Sequence, residues 1–133
     1  MDLRELAETY VDILRTGELD RLDELLAEDV FDHVGQKSGI AWWKEILGKV
    51  GVGGDGDDVV VEHVIAEGNL VAFHIVMHGH QTMGFLPQIG PVEATGLPFA
   101  WRQVHIFRAA EGKVVEHWAV RDDLGRAKQV GAV

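Results

Sequence analysis

The chain has 133 residues, of which 47% are hydrophobic and 26% charged, and this composition is typical of one globular domain, residues 1–133, with its own core. Its 22 acidic against 12 basic residues give a formal charge of −10, which argues against nucleic-acid binding, because phosphate recognition needs a basic surface. The absence of cysteine excludes disulfides, thiolate catalysis and zinc sites with cysteine ligands.

Membrane association and export are not predicted. No apolar run approaches the length of a transmembrane helix, and the first residues form an amphipathic pattern instead of a secretion signal. The acidic residues are spread along predicted helices, as on a solvated surface. We therefore expect a soluble, cytoplasmic protein with no membrane partner.

Two helices are predicted at the start of the chain. Across residues 2–16 apolar side chains recur at three- and four-residue spacing, with Asp2 as a possible N-cap and Gly17 as a C-cap. Leucines repeat this spacing in a shorter second helix, expected to end at Glu28 and Asp29. We expect the two helices to form an αα-hairpin that covers a sheet.

A short extended piece and a third helix follow. Residues 30–34 are expected to be extended, and His33 lies where the chain enters or leaves a core. Ser38 can cap a helix over residues 40–50, whose apolar side includes Trp43.

Residues 51–58 form the only low-complexity stretch, which consists largely of glycine and aspartate. Such a composition vaguely suggests a calcium loop, but the alternation of ligands and the terminal glutamate are missing. We interpret the stretch as a flexible connector.

A first β-hairpin is predicted from residues 59–66 and 70–80, joined at Gly68. Alternate residues of its second strand share a face. One face carries Val71, Phe73, Ile75 and Met77, and the other His74, Val76, His78 and His80. Three histidines at alternate positions of a strand are typical of a metal site. No carboxylate is close in sequence, however, and the aliphatic face is the more natural pocket wall, so no metal is predicted.

Residues 82–98 contain all three prolines of the chain and several apolar side chains. A loop this long with this much apolar character is usually functional. It is predicted to be a lid over a pocket or, alternatively, a packed connector that makes a dimer contact.

A second hairpin, residues 99–108 and 114–121, turns at Gly112, which can adopt the positive φ of a tight turn. Its strands share a face on which lie Trp101, Gln103, His105 and Phe107, and Val115, His117, Ala119 and Arg121. This face is too polar for a dry core and too apolar for a solvated surface, so it favours a pocket lining. The alternative is that each histidine is a satisfied core residue and the arginine faces solvent.

Residues 122–130 are predicted to form a capped helix or turn. Asp122 or Asp123 can supply the cap, because either side chain can accept from the amides of the first turn. A carboxylate at the end of a strand beside a cavity could instead orient a histidine ring.

The last third of the chain carries three family-like stretches, QVHIFR (103–108), GKVVEHW (112–118) and DDLG (122–125). With three helical segments followed by long antiparallel strands, the chain resembles the SnoaL-like polyketide (ester) cyclases of the nuclear-transport-factor-2-like superfamily. The resemblance implies an α+β, cone-shaped, cystatin-like fold in which a curved antiparallel sheet wraps around the N-terminal helices. It also implies one deep apolar pocket, a homodimer through the outer sheet face, and chemistry without a cofactor.

The resemblance further implies a mechanism, from which this sequence departs. The cyclases use an aspartate to deprotonate a substrate carbon for an aldol closure, helped by a histidine that matches His105. That aspartate aligns with Ala119, so the expected base is absent. The Gly-Thr-His turn of the family aligns with residues 79–81, whose sequence is Gly-His-Gln.

We therefore expect a cofactor-free acid–base enzyme, a lyase or isomerase that uses histidine on a small apolar, aromatic carbon acid. The predicted catalytic residues are His105 as base or polarising donor, Asp122 orienting a ring, and His33 as a second acid or base. The predicted substrate-binding residues are Trp101, Gln103, His117, Arg121, Ala119, Met77, Phe73 and Trp43.

Two alternatives remain. One is a hydrolase like the limonene epoxide hydrolases, whose site activates water with two aspartates and an arginine, whereas here Arg121 and Asp122 lack a clear second carboxylate. The other is a non-catalytic domain that binds a small ligand or serves dimerisation, which the alanine at position 119 favours.

Overall fold

The computed structural model describes residues 1–53 and 58–133, so half of the predicted connector lies outside the described residues. The helices are α1 (Leu3–Thr16), α2 (Leu22–Leu25), α3 (Ile40–Val50) and α4 (Asp123–Gln129), with a single 3₁₀ turn at Leu19–Arg21. The strands are β1 (Leu26–Asp32), β2 (Lys37–Ser38), β3 (Asp58–Glu67), β4 (Leu70–His80), β5 (Phe85–Leu86), β6 (Gly90–Pro91), β7 (Pro98–Ala110) and β8 (Lys113–Arg121).

The main sheet has the strand order β2-β1-β8-β7-β4-β3. Both predicted hairpins are present, and their turns contain Gly68 at φ 61° and Gly112 at φ 75°. All neighbouring strands are antiparallel except β1 and β8, which are parallel. The α+β fold with helices packed against a curved sheet is as predicted, but the sheet is mixed.

Helix α1 follows its predicted ends. Asp2 accepts a hydrogen bond from the backbone N–H of Glu5 at 2.9 Å, and Gly17 adopts a left-handed φ of 74°. One side of the helix is buried, through Leu6, Ala7, Tyr10, Val11, Ile13 and Leu14. Burial of this apolar stripe against the sheet stabilises a helix that would be marginal alone.

The second helix is shorter than predicted. It ends at Leu25, and β1 begins at Leu26, so the expected end at Glu28 and Asp29 is wrong. Leucine spacing suggested continued helix, but pairing of β1 with β2 and β8 gives this segment its backbone hydrogen bonds instead. The strand carries Asp32 into the concave side of the sheet.

Helix α3 has the predicted span, but Ser38 does not cap it. Ser38 lies in β2, and Gly39, at φ 97°, precedes the helix without a side-chain cap. The apolar side of the helix is buried through Trp43, Leu47 and Val50. It faces the same interior as α1.

Strand β4 separates its side chains as predicted. Val71, Phe73, Ile75 and Met77 are at most 2% exposed and face the core. On the other face the rings of His74 and His63 lie edge to edge and nearly coplanar, with their Nδ1 atoms 3.2 Å apart. Among residues 1–53 and 58–133, no group of three metal-ligating side chains converges, and none of the helices has the length and apolar run needed to cross a membrane.

Candidate active site

A cavity of about 220 Å³ lies between α1, α3 and the concave face of the sheet. Its apolar wall comprises Leu14, Val34, Trp42, Trp43, Ile46, Leu47, Val50, Val52, Met77, Pro87 and Trp101. Its polar lining comprises Tyr10, Asp32, Gln88, Gln103 and Arg121. A mostly apolar concavity with a few convergent polar groups is the usual form of a small-molecule site.

Five of the predicted substrate-binding residues line this cavity: Trp43, Met77, Trp101, Gln103 and Arg121. The other three do not. Phe73 and His117 are at most 1% exposed and lie behind the lining. Ala119 borders a groove beside the cavity together with Val34, Gln88 and Arg121.

A chain of three hydrogen bonds runs behind the cavity wall. Asp32 Oδ1 lies 3.0 Å from His117 Nδ1, His117 Nε2 lies 2.8 Å from His105 Nδ1, and His105 Nε2 lies 2.7 Å from Gln103 Oε1. We call these four residues the relay. Asp32 is 6% exposed, His117 1%, His105 0% and Gln103 3%. Asp32 and Gln103, its two ends, line the cavity, whereas the two rings do not.

Strand pairing sets the order of the relay. Asp32 is the register partner of His117 in the parallel pair β1/β8. Across β7 and β8, His105 pairs with Ala119 and Gln103 pairs with Arg121. Residues at paired positions on one face of a sheet lie within side-chain contact, so the polar groups converge from three strands.

Stacking fixes both imidazole rings. The His105 ring lies over Phe73 with centroids 5.1 Å apart and planes 11° apart, and the His117 ring lies over Trp43 at 4.4 Å and 29°. The two imidazoles lie edge to edge and nearly coplanar, with centroids 5.1 Å apart and planes 17° apart. Rings locked by packing keep their nitrogen atoms aimed along the relay, as a preorganised site requires.

The Asp32 carboxylate has further donors. Its Oδ1 accepts from the backbone N–H of Val34 at 3.0 Å, and its Oδ2 accepts from Trp42 Nε1 at 3.2 Å. Burial alone would raise the pKa of Asp32, but the hydrogen bond and charge of His117, together with these donors, lower it below its ordinary value. Asp32 is therefore ionised at neutral pH.

Both histidines are neutral at neutral pH. Burial, the charge of Arg121 and the neighbouring His117 hold the pKa of His105 well below its usual value. Burial also lowers the pKa of His117 to about 4, although its hydrogen bond to Asp32 acts in the opposite direction. The relay at rest is thus a carboxylate followed by two uncharged rings.

Two hydrogen-bond donors face the same cavity. The Tyr10 hydroxyl accepts from Trp43 Nε1 at 3.2 Å, and its own proton has no acceptor among the described residues. Burial raises the pKa of Tyr10, so it remains protonated. Arg121 makes no ion pair with a carboxylate in the described ranges. A carboxylate, a phenol and a guanidinium therefore line one cavity.

Two predicted catalytic residues lie outside this cavity. His33 Nε2 contacts Glu116 Oε2 at 2.8 Å, and its ring stacks on Trp118 at 4.5 Å. Asp122 caps α4 by accepting from the backbone N–H of Gly125 at 2.8 Å. The carboxylate that orients a histidine ring is Asp32, not Asp122.

Sequence reasoning missed Asp32, although one signal was present. In an extended piece over residues 30–34, as the sequence predicts, Asp32 would alternate with the apolar Val30 and Val34, and His33 would point to the opposite side. The strand itself ends at Asp32, and residues 33–34 lie in a turn. Val30 is 1% exposed. A carboxylate on the buried face of a strand was therefore the better candidate than its histidine neighbour.

Residues 82–98 contribute to the cavity through a small hairpin of β5 and β6, whose turn carries Pro87 and Gln88. Asp123 anchors this turn. Its Oδ2 accepts from the backbone N–H of Gln88 at 2.7 Å, and its Oδ1 accepts from Trp101 Nε1 at 3.0 Å. One carboxylate thus joins the hairpin turn to a wall of the cavity.

A family model for the SnoaL-like polyketide cyclases matches residues 4–130. The chain belongs to this family. The resemblance seen in the hairpin stretches is therefore confirmed, and the family supports a function of the cyclase or isomerase type. A search of curated proteins found no match.

Solved structures share the fold over nearly the whole chain. TsrD from Streptomyces laurentii is 21% identical, with 100% of this chain and 99% of that one covered and a TM-score of 0.85. IdmH from Streptomyces antibioticus, described as a candidate polyketide cyclase, is 22% identical, covers 98% and 99%, and has a TM-score of 0.80. AclR from Streptomyces galilaeus, described as a candidate hydroxylase, is 21% identical, covers 98% and 85%, and has a TM-score of 0.80. At these identities the likeness shows the fold alone.

Within this cyclase-family fold the acidic group has a different place. The resemblance assigns the catalytic aspartate to position 119, on β8, where this chain has alanine beside His105. Asp32 instead approaches from β1, on the far side of His117. His105 and His117 therefore lie between Ala119, where the carboxylate is absent, and Asp32, where one is present.

Proposed function

We propose that the protein is a cofactor-free acid–base enzyme that removes a proton from a small apolar, aromatic carbon acid and closes a ring within it or isomerises it. The observation that carries the proposal is the ionised carboxylate of Asp32, which lines the same cavity as the donors Tyr10 and Arg121. Enolate formation requires a base that removes the proton and hydrogen-bond donors that stabilise the oxygen on which charge develops, and this cavity presents both.

Asp32 is the proposed base in place of His105. The His105 ring is 0% exposed and does not line the cavity, whereas the carboxylate does. Oδ1 of Asp32 is occupied by His117 and the Val34 amide, and Oδ2 accepts only one bond among the described residues, from Trp42. A carboxylate oxygen has capacity for a second proton donor, so Oδ2 is the atom that accepts the substrate proton.

The step balances without a cofactor. The substrate C–H bond breaks, its proton moves to Asp32 Oδ2, and the electron pair becomes an enolate whose oxygen accepts from Tyr10 and Arg121. The enolate carbon then attacks a second carbonyl of the same molecule, and the new alkoxide recovers the proton from Asp32. The product is an isomer of the substrate.

The donors compensate for a weak base. Each unit by which the pKa of the carbon acid exceeds that of the base costs about 1.4 kcal/mol, and the pKa of Asp32 is lowered. One preorganised donor to a developing oxyanion contributes about 3–4 kcal/mol. A turnover of about 10 per second corresponds to a total barrier of about 16 kcal/mol. Tyr10 and Arg121 together therefore bring an uphill proton transfer within reach of ordinary turnover.

The walls favour a flat apolar substrate. Trp42, Trp43 and Trp101 line the cavity, and aromatic side chains offer broad faces for stacking on another ring. By excluding water they also strengthen hydrogen bonds to a developing charge. These contacts support a small aromatic substrate.

The test is deuterium uptake at the acidic carbon of a panel of aromatic carbon acids that includes a polyketide methyl ester. We expect acceleration by the protein and a loss of about 10²–10⁴-fold in Asp32→Asn. Asp12→Asn is the matched control, because that carboxylate pairs with Arg21 outside the cavity. Equal rates in the wild type and Asp32→Asn would contradict the proposed base.

The same panel separates the alternatives. Ligand-dependent stabilisation without any proton exchange would indicate a binding domain. Incorporation of labelled oxygen from water would indicate a hydrolase, whose water activation uses two aspartates. Asp32 is the only acidic residue on the cavity lining among residues 1–53 and 58–133, so the structure favours the cyclase or isomerase.

We also propose that the protein is a homodimer through the outer face of the sheet, as the family resemblance implies. Val104 and Val120, at paired positions of β7 and β8, are 42% and 77% exposed on that face. Apolar side chains exposed side by side are typical of a surface that another chain covers. The test is the molar mass from light scattering after size-exclusion chromatography. It should be that of a dimer for the wild type and that of a monomer for Val120→Glu.

A further inference from the structure

The relay poses a problem of proton number. Its three hydrogen bonds each need one proton. Two neutral imidazoles supply two, whereas an ionised carboxylate supplies none. Gln103 presents its amide oxygen to His105, so it supplies none either. As arranged, the relay can satisfy all three bonds only if it holds one extra proton.

Gln103 can supply the missing proton if its amide is reversed. In the orientation shown, the amide nitrogen is buried and has no partner among the described residues. Reversal lets this nitrogen donate to His105 Nε2. It also turns the oxygen toward the position that the nitrogen held, on the face where Arg121 is the cross-strand partner of Gln103. Both amide orientations thus have a physical use, in different charge states of the relay.

We infer that Gln103 is a positioning residue whose side-chain amide reverses with the proton content of the relay. The oxygen faces His105 when the relay holds an extra proton, and the nitrogen faces His105 when it does not. The inference goes beyond the proposed function and does not depend on it, because the extra proton enters the relay at His105 Nε2, whereas the substrate proton is held on Asp32 Oδ2.

The movement of protons along the relay follows from the same count. Without the extra proton, His105 carries its hydrogen on Nδ1, donates to His117 and accepts from the Gln103 amide. With it, His117 is protonated on both nitrogens beside the Asp32 carboxylate, and His105 carries its hydrogen on Nε2 and donates to the Gln103 oxygen. The His105 tautomer therefore reports the state of the whole relay.

Few other ionisable groups face the relay. Tyr10 approaches from α1, with ring centroids 5.4 Å from His105 and 6.3 Å from His117. Arg121 acts on both rings from β8, and the charge of His33 acts on His117. The residues packed on the rings from β4 and α3 are Phe73 and Trp43, which do not titrate.

The test is nitrogen-15 NMR of the folded protein between pH 7.5 and 4, without substrate. At neutral pH we expect His105 protonated on Nδ1, and a scalar coupling between the Gln103 side-chain nitrogen and His105 Nε2. On acidification toward pH 4 this coupling should weaken, because Nε2 becomes protonated in a growing fraction of the molecules. A His105 tautomer that stays on Nε2 at neutral pH, with both rings neutral, would overturn the inference.

Two variants of Gln103 and one control variant sharpen the test. Gln103→Glu can only accept, so it favours the relay with the extra proton and should raise the midpoint of the His105 transition by about one to three pH units. Gln103→Met can neither donate nor accept, so the tautomer change should be lost. Gln88→Glu adds the same charge to the lining of the same cavity and should move the midpoint less. An equal effect of Gln88→Glu would overturn the role of Gln103.

The two proposals fail separately. The NMR readout needs no substrate, so a tautomer change in a protein that exchanges no carbon-bound proton refutes the proposed function alone. Conversely, an active enzyme with a fixed His105 tautomer refutes the inference about Gln103 alone.

Discussion

Asp32 and His117 occupy paired positions of the parallel strands β1 and β8, and their side chains meet at 3.0 Å. This single strand pairing places a carboxylate from the N-terminal part of the chain against the ring of the C-terminal hairpin. Because an ionised carboxylate can only accept, this hydrogen bond fixes the proton of the neutral His117 ring on Nδ1.

Tyr10→Phe should lower the rate of deuterium exchange about 10²–10³-fold and change KM much less, because the hydroxyl donates to charge that develops in the transition state. The variant keeps the ring packing. It leaves Trp43 Nε1 without its acceptor, so the free energy of unfolding should fall by about 1–3 kcal/mol. Steady-state kinetics and urea denaturation measure the two effects, and an unchanged rate would exclude Tyr10 as the donor.

The raised pKa of Tyr10 has its own measurement. Tyr10 is the only tyrosine of the chain, and burial raises its pKa above the ordinary value of 10.0. In the native protein, tyrosinate absorbance should therefore appear at higher pH than in the same protein unfolded in guanidinium. Coincident titration curves would show that the hydroxyl is in contact with solvent.

Arg121→Gln should affect both catalysis and titration. Loss of the cation removes a donor to the enolate, which lowers the exchange rate, and it also removes a charge that lowers the pKa of His105 and His117. Both histidine pKa values should therefore rise in Arg121→Gln, whereas Arg121→Lys should keep them near the wild-type values. Histidine NMR titrations of the two variants measure this, and equal pKa values in both would show that the charge does not act on the rings.

Stability should fall as the pH drops from about 6.5 to 4. The pKa of His117 is about 4 in the folded protein and 6.5 in the unfolded chain, so in this window the unfolded state binds a proton that the folded state does not. His117 alone accounts for about 3 kcal/mol of this loss, and the lowered pKa of His105 acts in the same direction. Protonation of Asp32 destabilises the fold further at still lower pH.

Urea denaturation at several pH values measures this dependence, and His117→Asn is the control. Asparagine removes the titration, and its side-chain nitrogen can still donate to Asp32. The pH dependence between 6.5 and 4 should be shallower in this variant. A wild-type stability that stays constant across the window would show that His117 titrates normally in the fold.

Asp123→Asn should loosen the hairpin turn of β5 and β6. The carboxylate accepts from Gln88 and Trp101 with different oxygens, and an asparagine can keep only one of these bonds. The amide hydrogen of Gln88 should then exchange faster, KM should rise, and the free energy of unfolding should fall by about 1–3 kcal/mol. Unchanged exchange at Gln88 would show that other contacts hold the turn.

The sequence predicted the parts of the fold that depend on local patterns. Both hairpins, the span of α1 and the shared face of Gln103 and His105 follow from glycine turns and from two- and three-to-four-residue spacing. Each of these signals lies within about fifteen residues of the chain. They were enough to place five of the eight predicted substrate-binding residues on the cavity lining.

Asp32 was not predicted as a site residue, because its position in the cavity depends on a long-range contact that no local pattern encodes. Whether Asp32 or His33 faces the cavity is decided by the register of β1 against β8, and a shift of one residue would exchange them. The same long-range pairing ended the second helix at Leu25. Asp122, by contrast, carried a local capping signal, and it does cap α4.

The parallel pairing of β1 and β8 also has a consequence during protein synthesis. Asp32 and His117 are 85 positions apart, so at about 5–20 residues per second the ribosome needs about 4 to 17 seconds to add the second after the first. Until then β1 and β7 have no strand between them, because β8 occupies the place that separates them in the sheet. A nascent chain therefore acquires its continuous sheet and its relay in the same late event, when β8 emerges and inserts.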